Sequence, residues 1–203
     1  MKNCTGSLSS RTPRGTLTED ISKIQSEFYA SHPQAIFFRK GQKMECAHFV
    51  TEQVPLARLF SNSVYVIPGT DDIYVDYPII KSYVTQTNYA PIVRELIRVI
   101  HETIEHYGGF NLHVNLLSFS VSAAERYTDA IKMFCAECSK TDIRYLERMH
   151  KMYIYNTPHM IHLISAFMIR FTNDSIKEKM VHYSKEESAT KIQTLHAHVK
   201  SEN

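Results

Sequence analysis

The stretch from Asn88 to Tyr155 constrains the fold most, because its apolar period switches repeatedly between helical and strand-like. Ile92, Val93, Leu96, Val99, Ile100 and Ile104 recur at helical spacing. Asn88 can cap this helix, Pro91 sits in its first turn, and Gly108-Gly109 ends it. The run L-H-V-N-L-L at 112–117 then reads as a strand, and a second helix runs from about Ser122 to Cys138. A second strand, M-Y-I-Y at 152–155, stops at Asn156-Thr157-Pro158 and leads at once into an apolar helix. A polar helix over about 185–199 follows. Helix, strand, helix, strand, helix implies a right-handed βαβ crossover and a mainly parallel sheet, hence the α/β class.

Upstream, V-Y-V-I at 64–67 and I-Y-V-D-Y at 73–77 are short β-rich runs joined by P-G-T-D-D, which is turn chemistry. Thr16 to Ala30 reads as a helix, with Thr16 and Glu19 spaced as a capping box. From Ser31 to Asn62 no period stands out. The expected organisation is a flexible arm over 1–15, a partly helical extension over 16–62, and an α/β domain with its C-terminal helix over 63–203.

Apolar content of 43% and charged content of 22% are globular values. A formal net charge of +2 gives no argument for nucleic acid. No run approaches the roughly 18 apolar residues that span a bilayer. The N-terminal M-K-N-C-T-G-S-L-S-S lacks a signal-peptide core, and Lys2 stands where myristoylation needs glycine. Four cysteines, Cys4, Cys46, Cys135 and Cys138, make a disulfide framework a poor expectation. The chain reads as soluble and cytoplasmic.

No catalytic residue, metal site or cofactor is expected. His101-Glu102-Thr103-Ile104-Glu105-His106 looks like a zinc-protease motif, but its histidines are five apart, about 140° around a helix. Cys135-Ala136-Glu137-Cys138 lies at a helix end, away from the N-terminal dipole that stabilises a thiolate, and has no second pair for zinc. His159 and His162 have no carboxylate or cysteine at helical spacing, and no G-x-S-x-G or phosphate-cradling loop occurs.

The apolar helix is more informative. At about 100° per residue, Met160, Ile161, Leu163, Ile164, Phe167, Met168 and Phe171 fill an arc of roughly 160°. His162, Ser165, Ala166 and Arg170 lie opposite, with Ile169 among them. Such a face suits a protein core or an apolar ligand, and the pattern alone leaves both open.

The run E-R-M-H-K-M-Y-I-Y-N-T-P, Glu147 to Pro158, then this helix, then F-T-N-D-S-I-K-E-K-M, resembles the CRAL-TRIO lipid-binding family. Within it, the phosphatidylinositol/phosphatidylcholine transfer proteins are most similar. N-L-L-S-F-S-V-S, Asn115 to Ser122, resembles the family's second core strand entering its turn, and the likeness spans roughly 72–185. The resemblance implies a mainly parallel sheet floor with covering helices that enclose a lipid cavity. Met160 to Phe171 would be a mobile gate over the acyl chains, with Ile169 and Arg170 meeting a membrane surface. Glu147 and Lys179 match the carboxylate and lysine that engage an inositol phosphate head group.

Several positions depart from that pattern. Ile176 replaces a phosphate-binding threonine, and Phe110 and Leu112 stand where phosphatidylcholine binders carry hydroxyls. Asn115 replaces the usual aspartate and Ser118 the usual glycine. The family's N-terminal helical bundle is not recognisable in 1–60. The expected function is non-enzymatic binding, transfer or sensing of one phospholipid or other hydrophobic small molecule, with a phosphoinositide as candidate. The alternative, implied by the BCH-type relatives, is a scaffold for small GTPases or their regulators.

Overall fold

The computed structural model of the chain describes residues 14–32, 39–140, 143–158, 161 and 175–197. At its centre lies a five-stranded sheet in sequential order. The strands are β1 (Val64–Val66), β2 (Asp72–Asp76), β3 (Phe110–Asn115), β4 (Met149–Tyr155) and β5 (Met180–His182). β1 pairs antiparallel with β2, and each later pairing is parallel. The expected mainly parallel α/β sheet is therefore present. Gly69, at φ 77°, makes the β1–β2 hairpin turn within the predicted P-G-T-D-D.

Helix α1 (Arg14–Ser31), α2 (Arg39–Gln53) and α3 (Leu56–Ser63) precede the sheet. Two of these fill the segment in which the sequence shows no clear period. Helix α4 (Tyr77–Ile80) follows β2, and α5 (Tyr89–Tyr107) carries the chain to β3. Helices α6 (Val121–Arg126), α7 (Thr128–Ser139) and α8 (Tyr145–Arg148) lie between β3 and β4. Helix α9 (Ser175–Lys179) precedes β5, and α10 (Lys185–Ala197) follows it.

Three local expectations change. Asn88 does not cap α5 with its side chain; its Oδ1 accepts from Thr85 N–H at 2.9 Å and its Nδ2 donates to Tyr83 O at 2.8 Å. The buried amide thus serves a preceding 3-10 turn. The helix expected over 122–138 is two helices, because Tyr127 (φ −90°, ψ 8°) leaves helical geometry. Its buried ring sits against Tyr77 and Tyr89. Strand β3 begins at Phe110 and ends at Asn115, since Asn115 Oδ1 accepts from Leu117 N–H at 3.1 Å and turns the chain. Gly108 ends α5 as expected, in the left-handed region at φ 82°. Gly109 is needed for space: a Cβ there would lie 2.7 Å from the Arg148 carbonyl oxygen.

The strand register gives the sheet two unlike faces. On one, Val66, Ile73, Leu112, Met152 and Met180 align across all strands, beside Val64, Val75, Val114 and Ile154. Alternation in β-strands sends these apolar side chains to a common side. There they pack with Val99 and Ile100 of α5, Phe134 of α7 and Ile176 of α9. The opposite face carries Tyr65, Tyr74, His113 and Tyr153 in register. Helix α10 lies against it: His196 meets the Tyr74 ring edge-on at 4.8 Å, and Tyr65 Oη is 2.9 Å from His196 Nε2. A second apolar cluster joins Leu17, Ile21, Val50 and Leu59 of the N-terminal helices to Tyr77, Tyr83 and Tyr89.

Candidate functional site

The apolar face of the sheet is covered by side chains of α5, α7 and α9. Ile73, Phe110 and Met149 are buried, while Leu112, Val114 and Met152 remain partly accessible. Phe110 and Leu112, which replace hydroxyl-bearing residues of the resembling lipid binders, extend this apolar floor. Of the predicted gate residues, Ile161 is described: its N–H donates to Pro158 O at 2.9 Å. Met160, Leu163, Ile164, Phe167, Met168, Ile169, Arg170 and Phe171 lie outside the described residues.

At the amino ends of β3 and β4 an open cleft of about 600 Å³ is lined by Ile104, Ile143, Arg144, Glu147 and Arg148. Ile104 and Ile143 also pack on the apolar cluster over the sheet, so the polar cleft borders that cluster. Glu147 is exposed and meets Arg144 Nη1 at 3.0 Å; an ion pair this exposed contributes little to stability. Lys179 does not pair with Glu147. Its Nζ donates to Leu146 O at 2.6 Å and Met149 O at 2.7 Å, satisfying carbonyls on either side of Glu147. Glu147 thus lies within the short helix α8 and Lys179 bonds to its backbone, but the two side chains hold different partners. An ammonium has three donors, so Lys179 keeps one beyond these two bonds.

Arg144 and Arg148 were not singled out in the sequence. Their signal is the R-Y-L-E-R spacing: Arg144, Glu147 and Arg148 at i, i+3 and i+4 share one helical face. Such a face offers two planar guanidinium forks for a phosphate and one carboxylate for hydroxyl donors. Ile176, where the resemblance would place a phosphate-binding threonine, is 4% exposed and packed in the apolar cluster. It has no polar atom with which to reach a head group.

The departures at Asn115 and Ser118 have local explanations. Asn115 Nδ2 donates to Asp76 Oδ1 at 3.0 Å, and Asn115 Oδ1 accepts from Asn156 Nδ2 at 2.8 Å. An aspartate at 115 would set two carboxylates against each other in a site where Asp76 is 1% exposed. Ser118 takes φ 66°, the left-handed conformation that glycine adopts most cheaply. On the aromatic face, His113 Nε2 lies 3.1 Å from Asp72 Oδ1, and Nδ1 lies 2.8 Å from Tyr155 Oη. Asp72 is held below the usual carboxylate range, chiefly by the His113 hydrogen bond. Burial, with the charges of Tyr183, Tyr74, Tyr153 and Asp72, pushes the Tyr155 phenol up, so this chain is not an activated nucleophile.

The remaining motifs take structural roles. Burial raises both thiols of the C-x-x-C, that of Cys138 to about 12, so they stay protonated at neutral pH. His101 pairs with Glu105 at 3.2 Å, and Glu102 turns to Arg98 rather than to His106. Among the described residues no group of three His, Cys, Asp or Glu side chains could hold a metal, and no helix is long and apolar enough to cross a membrane.

No curated protein matches the sequence. Among solved structures, the crystal structure of Sfh5 is similar at 12% identity and a TM-score of 0.48, covering 84% of this chain and 68% of that one. The family model described as CRAL/TRIO domain matches residues 86–203, more than half of the chain and the stretch from α5 through β5 and α10. The chain belongs to the CRAL/TRIO domain family, and with it to proteins that bind and transfer lipids or other small hydrophobic molecules.

Proposed function

We propose that the protein binds one amphipathic lipid without catalysing a reaction, with acyl chains on the apolar sheet face and an anionic head group in the Arg144–Glu147–Arg148 cleft. The observation that supports this reading is the adjacency of that cleft to the apolar cluster, with Ile104 and Ile143 shared by both. A phosphoinositide fits the donor set: guanidinium forks for phosphate, Glu147 for ring hydroxyls, and the third donor of Lys179. The apolar helix over Met160 to Phe171 is the gate in this reading, with Ile169 and Arg170 at a membrane surface. Each CH₂ carried through water would cost about 0.8 kcal/mol, so exchange belongs at a bilayer.

Native mass spectrometry with organic extraction tests the proposal. A stoichiometric co-purifying lipid is expected, together with uptake of phosphatidylinositol from mixed liposomes. Arg144→Glu with Arg148→Glu should abolish uptake of the anionic lipid and leave the melting temperature nearly unchanged, because both side chains are exposed. Lys179→Ala is a poorer probe, since it strips two backbone carbonyls of their donor. A bare protein mass that persists after liposome incubation would overturn the lipid reading. The buried Ile176 in place of a phosphate ligand would then favour a scaffold, tested by capture of small GTPases or their regulators.

A further inference from the structure

A second cavity, of about 350 Å³, opens at the carboxyl ends of β2 and β3, at the opposite end of the strands from the arginine cleft. Helix α1 forms one wall with Thr18, Ile21, Ser22 and Gln25. Asp76 and Asn115 line it from the strand ends, with Ile79, Lys81, Ser82 and Leu117 completing the lining. The polarity of this wall is graded. Asp76 is 1% exposed and Asn115 6% exposed, whereas Lys81 and Leu117 stand exposed at the rim. Lys81 Nζ donates to Ser118 Oγ at 2.6 Å, and no carboxylate lies within ion-pair distance of it among the described residues. A buried carboxyl within and an ammonium at the mouth place a hydrogen-bonding group at one end of the cavity and a cation at the other. Burial and the like charge of Lys43 act against the Lys81 ammonium, and Asp76 acts in its favour.

We infer that this cavity is a second ligand site, for a small hydroxylated anion whose hydroxyl donors face Asp76 and whose phosphate or carboxylate meets Lys81. The volume falls within the range of small-molecule pockets. Crevices at the carboxyl ends of parallel strands are common ligand positions in α/β sheets. A bare anion is disfavoured by Asp76, and a neutral polyol makes no use of Lys81. The same chemistry is found in a free phosphorylated polyol and in a glycerophosphate head group.

The cavity and the arginine cleft each hold isoleucines, so one labelled sample reports on both. Ile21 and Ile79 line the cavity, while Ile104 and Ile143 line the cleft. Protein labelled at the isoleucine methyls is titrated with glycerol 3-phosphate, with inorganic phosphate and glycerol in parallel. Glycerol 3-phosphate should move the Ile21 and Ile79 signals saturably, and more tightly than either fragment. Lys81→Met should weaken that response at least about tenfold, the effect of losing a charge-assisted hydrogen bond, and Lys81→Arg should restore it. A second arm uses vesicles containing phosphatidylglycerol. A response to the free compound identifies a soluble ligand, and a response to vesicles alone identifies a head group; either supports the site. Still Ile21 and Ile79 methyls in both arms, or shifts that survive Lys81→Met unchanged, overturn it. Shifts confined to Ile104 and Ile143 overturn it too, while leaving the proposed lipid cleft standing.

Discussion

The two faces of the sheet are stabilised by different physics. The face under α5 and α7 is a continuous sheet of Val, Ile, Leu, Met and Phe, held by burial and packing. The face under α10 is held by directed contacts. Asp72, His113 and Tyr155 form one hydrogen-bonded chain, and His113 stacks on Tyr153 at 4.6 Å. Helix α10 adds His196 on Tyr65, Ser188 Oγ accepting from Asn156 N–H at 2.7 Å, and Lys191 over the Tyr183 ring. Non-directional packing depends on filled volume, so it is sensitive to lost side-chain bulk and indifferent to pH. A hydrogen-bonded aromatic face tolerates little rearrangement and suits a rigid backing.

If this contrast holds, damage to the faces should differ in size and in pH dependence. Ile73→Ala, at a fully buried position on the apolar side, should cost about 3 kcal/mol and lower the melting temperature strongly. His113→Phe preserves a ring for stacking but leaves the Tyr155 hydroxyl without its partner and removes one donor from Asp72, which keeps Asn111 Nδ2 at 3.1 Å. It should cost about 2 kcal/mol in denaturant unfolding at neutral pH. The sign of its pH dependence is set by Asp72, whose folded carboxyl is held down mainly by His113. Stability from such a group is present above the ordinary carboxylate pKa and lost as pH falls through the lower, folded value. The gap between wild type and His113→Phe should therefore narrow below about pH 4, while the Ile73→Ala gap should not.

Smaller effects test the cover. His196→Ala should loosen α10 by about 1 kcal/mol, read as faster amide exchange in that helix with β3 and β4 still protected. Equal loss of protection across the sheet would show that α10 is integral rather than applied. Ser118→Gly, at the left-handed turn after β3, should stabilise the protein by up to about 1 kcal/mol, less what the Lys81 hydrogen bond supplies.

Much of the α/β framework was legible because its signals are local. Helix α5 has an apolar stripe and glycines at its end, and β3 and β4 alternate clearly. Helix α2 was invisible: its burial rests on Cys46, Ala47 and Val50, too small a stripe to stand out among twelve other positions of mixed polarity. Strand β5 is three residues long and gains its identity only from pairing with β4. The head-group positions Glu147 and Lys179 came from resemblance, whereas their separate partners depend on how α9 packs beside α8. Arg144 and Arg148 escaped notice because E-R-M-H reads as the approach to a strand, and the short α8 that gathers them has no apolar period of its own.

The sheet also tapers. Its central strands run five, six and seven residues, but both borders, β1 and β5, have only three. A border strand offers unpaired N–H and C=O groups to any passing chain, and a short one offers few. With so little exposed ladder, edge-to-edge stacking into fibres has almost no template. The short borders thereby close off a common route by which open sheets polymerise.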